Sequence, residues 1–152
     1  MGKFSPHMEP ALCSGIILSD SVIREEGTGK MSLIGCFTVW NAQQFPLLVA
    51  PFYVTALLTN LRGNVEQIHV TVRLENPQNG HVLTSVSGNM RPGEHTFDPN
   101  EVFEIPFPIK SVAFPSAGMY AVIVLVDNEA IGKRAIAVRS LTAGTISDME
   151  KT

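Results

Sequence analysis

The stretch Gln67-Ile68-His69-Val70-Thr71-Val72-Arg73-Leu74-Glu75 decides the fold class. Ile68, Val70, Val72 and Leu74 alternate with Gln67, His69, Thr71 and Arg73, the period of two that presents one face to a core and the other to water. This stretch lies in 64–76, one of the longest segments free of both glycine and proline and therefore a natural place to look for a helix. The other such segment, 119–131, opens with Met119-Tyr120-Ala121-Val122-Ile123-Val124-Leu125-Val126. That run is nearly continuous and β-branched, as expected of a strand covered on both faces or lying at an interface.

Working outward, turn chemistry supplies the joints. Asn76-Pro77-Gln78-Asn79-Gly80 links the 65–75 strand to 81–88: proline presets the turn and Asn-Gly provides its left-handed corner. In the register this predicts, Glu75 faces His81 and His69 faces Ser87. Glu26-Gly27-Thr28-Gly29-Lys30 joins 20–26 to 31–40, and Asp127-Asn128-Glu129 joins 119–126 to 130–139. With further strands at 12–18, 52–61 and 101–114, the expectation is an all-β, single-domain immunoglobulin-like β-sandwich of eight or nine mainly antiparallel strands. A single helical turn starting at Ser19, capped by Asp20 or Ser21, is the alternative for 19–26. The domain is expected to span 11–141, with flexible termini at 1–10 and 142–152.

Composition supports an ordinary core. The 152 residues are 45% hydrophobic and 16% charged, the latter below the average of about 25% for soluble domains, so disorder and a coiled coil are excluded. A net charge of -3 offers no basic footprint for nucleic acid or an anionic membrane. The N-terminal ten residues carry Pro6, Glu9 and Pro10 where a signal peptide needs its apolar run, and Pro6 stands where a myristoylation motif needs Ser or Thr. No apolar stretch reaches the length of a spanning helix. These observations predict a soluble cytoplasmic protein. Cys13 and Cys36 fall out of register for a cross-strand bridge, because Cys36 belongs opposite a residue near Asp20; two buried free thiols are expected, although a bridge between sheets remains open.

Several signatures carry a resemblance: Gly29-Lys30-x-Ser32-Leu33-Ile34-Gly35-x-Phe37, then Phe45-Pro46, Phe52-Tyr53-Val54, and late in the chain Phe114-Pro115-x-x-Gly118-x-Tyr120-x-Val122. Over about residues 11–140 the sequence resembles a family of small bacterial β-sandwich proteins of unknown function. Its last element also looks like the strand entry of many immunoglobulin-like domains. The resemblance implies a sandwich and carries no catalytic residue.

No catalytic constellation is legible. His7, His69, His81 and His95 have no ligand spacing. Cys36 lies in an apolar stretch without a base, and there is no nucleophile elbow, P-loop or dinucleotide fingerprint. No enzyme, cofactor or resident metal is expected. The polar segment 89–101 contains Asp98, Asn100 and Glu101, whose hard oxygens are the weak candidates for calcium, without a glycine-punctuated ligand loop. Trp40, Tyr53 and Tyr120 could form a sugar platform, but each sits in an apolar strand where core packing is the default. Excess apolarity is the informative feature. The 31–40, 52–61 and 119–126 strands are apolar on both faces, so something beyond a facing sheet must cover them: either the 42–51 loop or another subunit. The expected function is a non-enzymatic binding or structural module, a homo-oligomer or partner of another protein. It would act through an apolar sheet face, with Trp40, Phe45, Phe52 and Leu57 as interface candidates, and through the 89–101 loop. The alternative is a calcium- or carbohydrate-binding sandwich using the acidic 94–104 loop.

Overall fold

A computed structural model describes residues 12–61, 67–91 and 98–141. The expected flexible termini, 1–10 and 142–152, lie outside the described residues, as do the start of the 65–75 strand and 92–97 of the 89–101 loop. Eleven strands run in chain order: β1 (Leu12–Arg24), β2 (Met31–Phe37), β3 (Val39–Ala42), β4 (Leu47–Val49), β5 (Phe52–Thr59), β6 (Ile68–Glu75), β7 (Val82–Met90), β8 (Phe103–Ile109), β9 (Val112–Phe114), β10 (Gly118–Val126) and β11 (Glu129–Ser140). They form a four-stranded sheet of order β2-β1-β5-β8, a five-stranded sheet of order β3-β11-β10-β6-β7, and the small pair β4-β9. All pairings are antiparallel except that of β3 with β11. No described helix is long and apolar enough to cross a membrane.

The core is built by alternation, as the sequence implied. In β6 the pattern is strict, with Ile68, Val70, Val72 and Leu74 buried and the intervening residues half-exposed. They meet Val122, Val124 and Val126 of β10 and Ile136 of β11 within their own sheet. Across the sandwich lie Leu18, Val54, Leu58 and Phe107 from the four-stranded sheet. Burying each such side chain contributes about 1.5–3 kcal/mol, which is why the two apolar faces set the layer arrangement. At the entry to β10 the Tyr120 hydroxyl, on a buried ring, donates to the Ser116 carbonyl at 2.7 Å. A tyrosine tied back to the backbone a few residues upstream is a hallmark of immunoglobulin-like sandwiches.

The count of eleven corrects the eight or nine expected, for identifiable reasons. The segments 12–18 and 20–26 are one 13-residue strand, with no helical turn at Ser19. Its first part pairs with β5 and its second with β2, and the hand-over falls at Leu18 and Ser19, each of which has a partner on both sides. The 31–40 segment breaks at Thr38 because β2 belongs to one sheet and β3 to the other. The 101–114 segment divides into β8 and β9, and the latter pairs with β4 from inside the supposed 42–51 loop. The β6–β7 register also departs from expectation: Glu75 faces Val82 and His69 faces Asn89. The turn is closed by Asn76 N–H to His81 carbonyl at 2.8 Å, and an irregularity between Leu74 and Glu75 shifts the ladder.

Candidate interaction surface

Three of the four interface candidates are committed to the interior side of the sandwich. Phe37, Trp40, Phe52, Phe114 and Tyr120 form a continuous ring cluster with centroid separations of 4.8–5.8 Å, the range of favourable tilted and edge-to-face packing. Phe52 is only 3% exposed, while Trp40 and Phe45 pack against the core half-buried. The cover for the two-sided apolar strands therefore comes in part from the chain itself. The β3 crossing brings Trp40 over Phe52, and the 42–51 segment adds Phe45, Leu47 and Val49. Trp40 and Tyr120 are correspondingly spent on packing and are not arranged as a sugar platform.

Leu57 is the exception: it lies half-buried on the outer face of the four-stranded sheet. Strand alternation and register assemble that face. Along β1 it carries Gly15, Ile17, Ser19, Ser21 and Ile23; β5 adds Tyr53, Thr55 and Leu57 in register with Ser19, Ile17 and Gly15. From β2 come Cys36, paired with Ser19, and Ile34, paired with Ser21. Beyond β5, β8 places Pro108, Pro106 and Glu104 opposite Tyr53, Thr55 and Leu57. Glu104 is the one carboxylate, and no lysine or arginine joins it, among the described residues of this face. Ile23 is 52% exposed and Ile34 47%, whereas Ser19 and Thr55 are fully buried between their larger neighbours. Ile17, Ile23, Ile34 and Tyr53 of this face are not among the four candidates read from the sequence. The available signal was that Ile16, Ile17 and Leu18 are apolar on both parities of one strand.

A second feature is the seam between β1 and β11. Arg134 half-buries its side chain and donates through Nη1 to the Ile16 carbonyl, tying the two sheets together. Next to it the backbones approach so closely that a Cβ on Gly132 would stand 2.4 Å from Cys13 Cβ and 2.8 Å from its sulfur. Burial pushes the Cys13 thiol pKa up, partly offset by backbone hydrogen bonding at Gly15 and Leu57. Both cysteines are free, with Cys13 half-buried and Cys36 exposed, which corrects the expectation that both thiols are buried. Cys36 on β2 pairs with Ser19 of β1, six residues along that strand from Cys13, which itself pairs with Leu58 of β5.

The remaining polar candidates hold local structure. His69 Nδ1 lies 2.9 Å from Asn89 Oδ1, and the His81 N–H donates to Asn79 Oδ1 at 2.8 Å; His7 and His95 lie outside the described residues. Asp98 Oδ1 accepts the Asn100 N–H at 2.9 Å, and the Asp98 carbonyl accepts the Glu101 N–H at 3.1 Å. That carboxylate thus closes its own turn, and among the described residues no three His, Cys, Asp or Glu side chains group as a metal site.

Comparison with known proteins adds a family and no activity. The chain matches, over residues 14–139, the model of a family of unknown function, DUF6941; it belongs to that family. No curated protein matches it. Among solved structures it is similar to an immunoglobulin-like protein from Pseudomonas aeruginosa, at 12% identity over 86% of this chain and 98% of that one, with a TM-score of 0.34. A glycosyl hydrolase family 2 member from Bacteroides cellulosilyticus matches at 18% identity over 62% of this chain, with a TM-score of 0.41. The alkylpurine DNA glycosylase AlkC from Pseudomonas fluorescens matches at 14% identity over 68% of this chain, with a TM-score of 0.38. The chain spans only 13% and 28% of those two enzymes.

Proposed function

We propose that this DUF6941 protein is a non-enzymatic binding module that associates with a second copy of itself through the outer face of the four-stranded sheet. One observation carries the reading. Ile17, Ile23, Ile34, Tyr53, Leu57 and Pro106 spread across four adjacent strands of that face, with Glu104 as its one carboxylate among the described residues. Contiguous apolar surface of this kind on a soluble chain marks an association site, and an identical patch on each copy is what a two-fold dimer requires. The net charge of -3 favours a protein partner over a nucleic acid, and two free thiols fit a reducing compartment such as the cytoplasm.

Sedimentation velocity over a dilution series tests the proposal. The expected result is a species of twice 16.5 kDa at micromolar concentration. Ile34→Glu should convert it to monomer with a change in stability within about 0.5 kcal/mol, since the side chain is about half exposed. A wild-type chain that stays monomeric, or an Ile34→Glu variant that remains dimeric, refutes it.

A further inference from the structure

Among the described residues each of the two main sheets ends in two edge strands, and an open edge is a row of unpaired backbone donors and acceptors that must be blunted or used. Three of the four are blunted. The β8 edge carries Pro106 and Pro108, which have no N–H to offer. In β2, Gly35 takes φ 69 in mid-strand, breaking the regular extended geometry that pairing needs. β3 is only four residues long. β7 is the least protected: apart from one bulge at Leu83, where Leu74 faces Thr84 but Glu75 faces Val82, its nine residues, Val82-Leu83-Thr84-Ser85-Val86-Ser87-Gly88-Asn89-Met90, include no proline, no charged side chain and no positive φ.

The strand is also held ready for a neighbour. Thr71 Oγ1 and Ser87 Oγ lie 2.9 Å apart, and His69 and Asn89 make the second cross-strand tie. These contacts fix β7 to β6 in an extended conformation before anything binds. Alongside it is a hollow of about 270 Å³, lined by Thr84, Ser85 and Val86 of β7 and by Pro108, Ile109 and Lys110 at the end of β8. That is below the range of about 300–1,000 Å³ typical of small-molecule sites and suits one side chain. Its apolar wall is Val86, Ile109 and Pro108, and Lys110 is its one charged group.

We infer that the β7 edge receives an extended acidic peptide segment of another protein by strand addition. The segment's backbone would pair with β7, an apolar side chain would fill the hollow, and a neighbouring carboxylate would meet Lys110. In this mode main-chain hydrogen bonds supply affinity and side-chain pockets supply specificity. Lys110 beside the edge selects the occupant. In a two-fold pairing of β7 with β7 centred near the hollow, two lysines would face each other, whereas an acidic segment complements it. The surface shares only Pro108 with the outer face of the four-stranded sheet, and none of the residues that carry the dimer proposal, so its failure leaves that proposal standing.

The test uses the full chain and a fluorescein-labelled ten-residue peptide of alternating valine and threonine with one central glutamate. Controls replace that glutamate by lysine or N-methylate alternate amides. Anisotropy is expected to show binding of the glutamate peptide, with amide chemical-shift changes confined to 82–91 and to Ile109 and Lys110. N-methylation should abolish it. Lys110→Glu should reverse the preference between the two peptides by roughly fivefold, the scale of an exposed ion pair. Undetectable binding at millimolar peptide, indifference to N-methylation, or shift changes on β2 or on residues 103–107 of β8 would overturn the inference. So would concentration-dependent shifts at 82–90 without peptide, which would assign the edge to a second copy.

Discussion

Gly132→Ala is the sharpest probe of how the two sheets are joined. Gly132 has no positive φ, so alanine costs nothing in backbone conformation, and it narrows the unfolded ensemble by about 0.4–1 kcal/mol. Against that gain stands contact. The new methyl would lie 2.4 Å from Cys13 Cβ, and that atom is anchored in β1 where it pairs with Leu58; it cannot swing aside as a side-chain tip would. Overpacking of this kind costs about 1–3 kcal/mol. The net expectation is a loss of about 1–2 kcal/mol, which for a chain of this size lowers Tm by about 2–8 °C. Thermal unfolding followed by circular dichroism measures it. The reasoning has an internal control: in a Cys13→Gly background the obstacle is gone, and Gly132→Ala should become neutral or mildly stabilising. A double-mutant cycle isolates that coupling. If Gly132→Ala leaves Tm unchanged in the otherwise native chain, or destabilises equally in both backgrounds, close approach at the β1–β11 seam is not what glycine serves there.

Two further outcomes are expected. Tyr120→Phe keeps the ring in the aromatic cluster and removes only the hydroxyl bond to the Ser116 carbonyl. It should cost about 0.5–1.5 kcal/mol, read as a lower midpoint in urea with an unchanged slope; no shift would mean the corner bond is not stabilising. Alkylation by iodoacetamide, followed by peptide mass mapping, should label exposed Cys36 before half-buried Cys13, because burial raises the Cys13 pKa and depletes its thiolate. The sign for stability follows. A neutral thiol is favoured in the fold, so its contribution is intact below the free-thiol pKa and is lost as pH rises through the raised folded value. Labelling of Cys13 first would show the seam open in solution.

Much of the fold was legible because alternation is local. Ile68 to Leu74 announce a half-buried strand through their own spacing, Asn79-Gly80 announces the turn that follows, and Tyr120 could be read as a core ring from the apolar strand around it, as it is. The candidate surface was legible only in outline. Excess apolarity along 31–40 and 52–61 signalled covered second faces, but Trp40 and Phe52 could not be sorted from Leu57 and Ile34. The two classes differ in which sheet their strand joins and which side faces the other layer, not in local composition. The open β7 edge was equally hidden: its uncharged sequence acquires meaning only once β7 is known to end a sheet.

What the sequence determined by itself was the strand class, the turns and the two-layer architecture, since each depends on residues within a few positions of one another. Tertiary structure alone decided that β1 hands over from β5 to β2 at Leu18 and Ser19, that the chain changes sheets at Thr38, that Cys13 meets Gly132, and which faces and edges remain for a partner. Those choices depend on burying apolar surface and pairing backbone groups between segments far apart in the chain, and the energy that selects them exists only once both segments are in place.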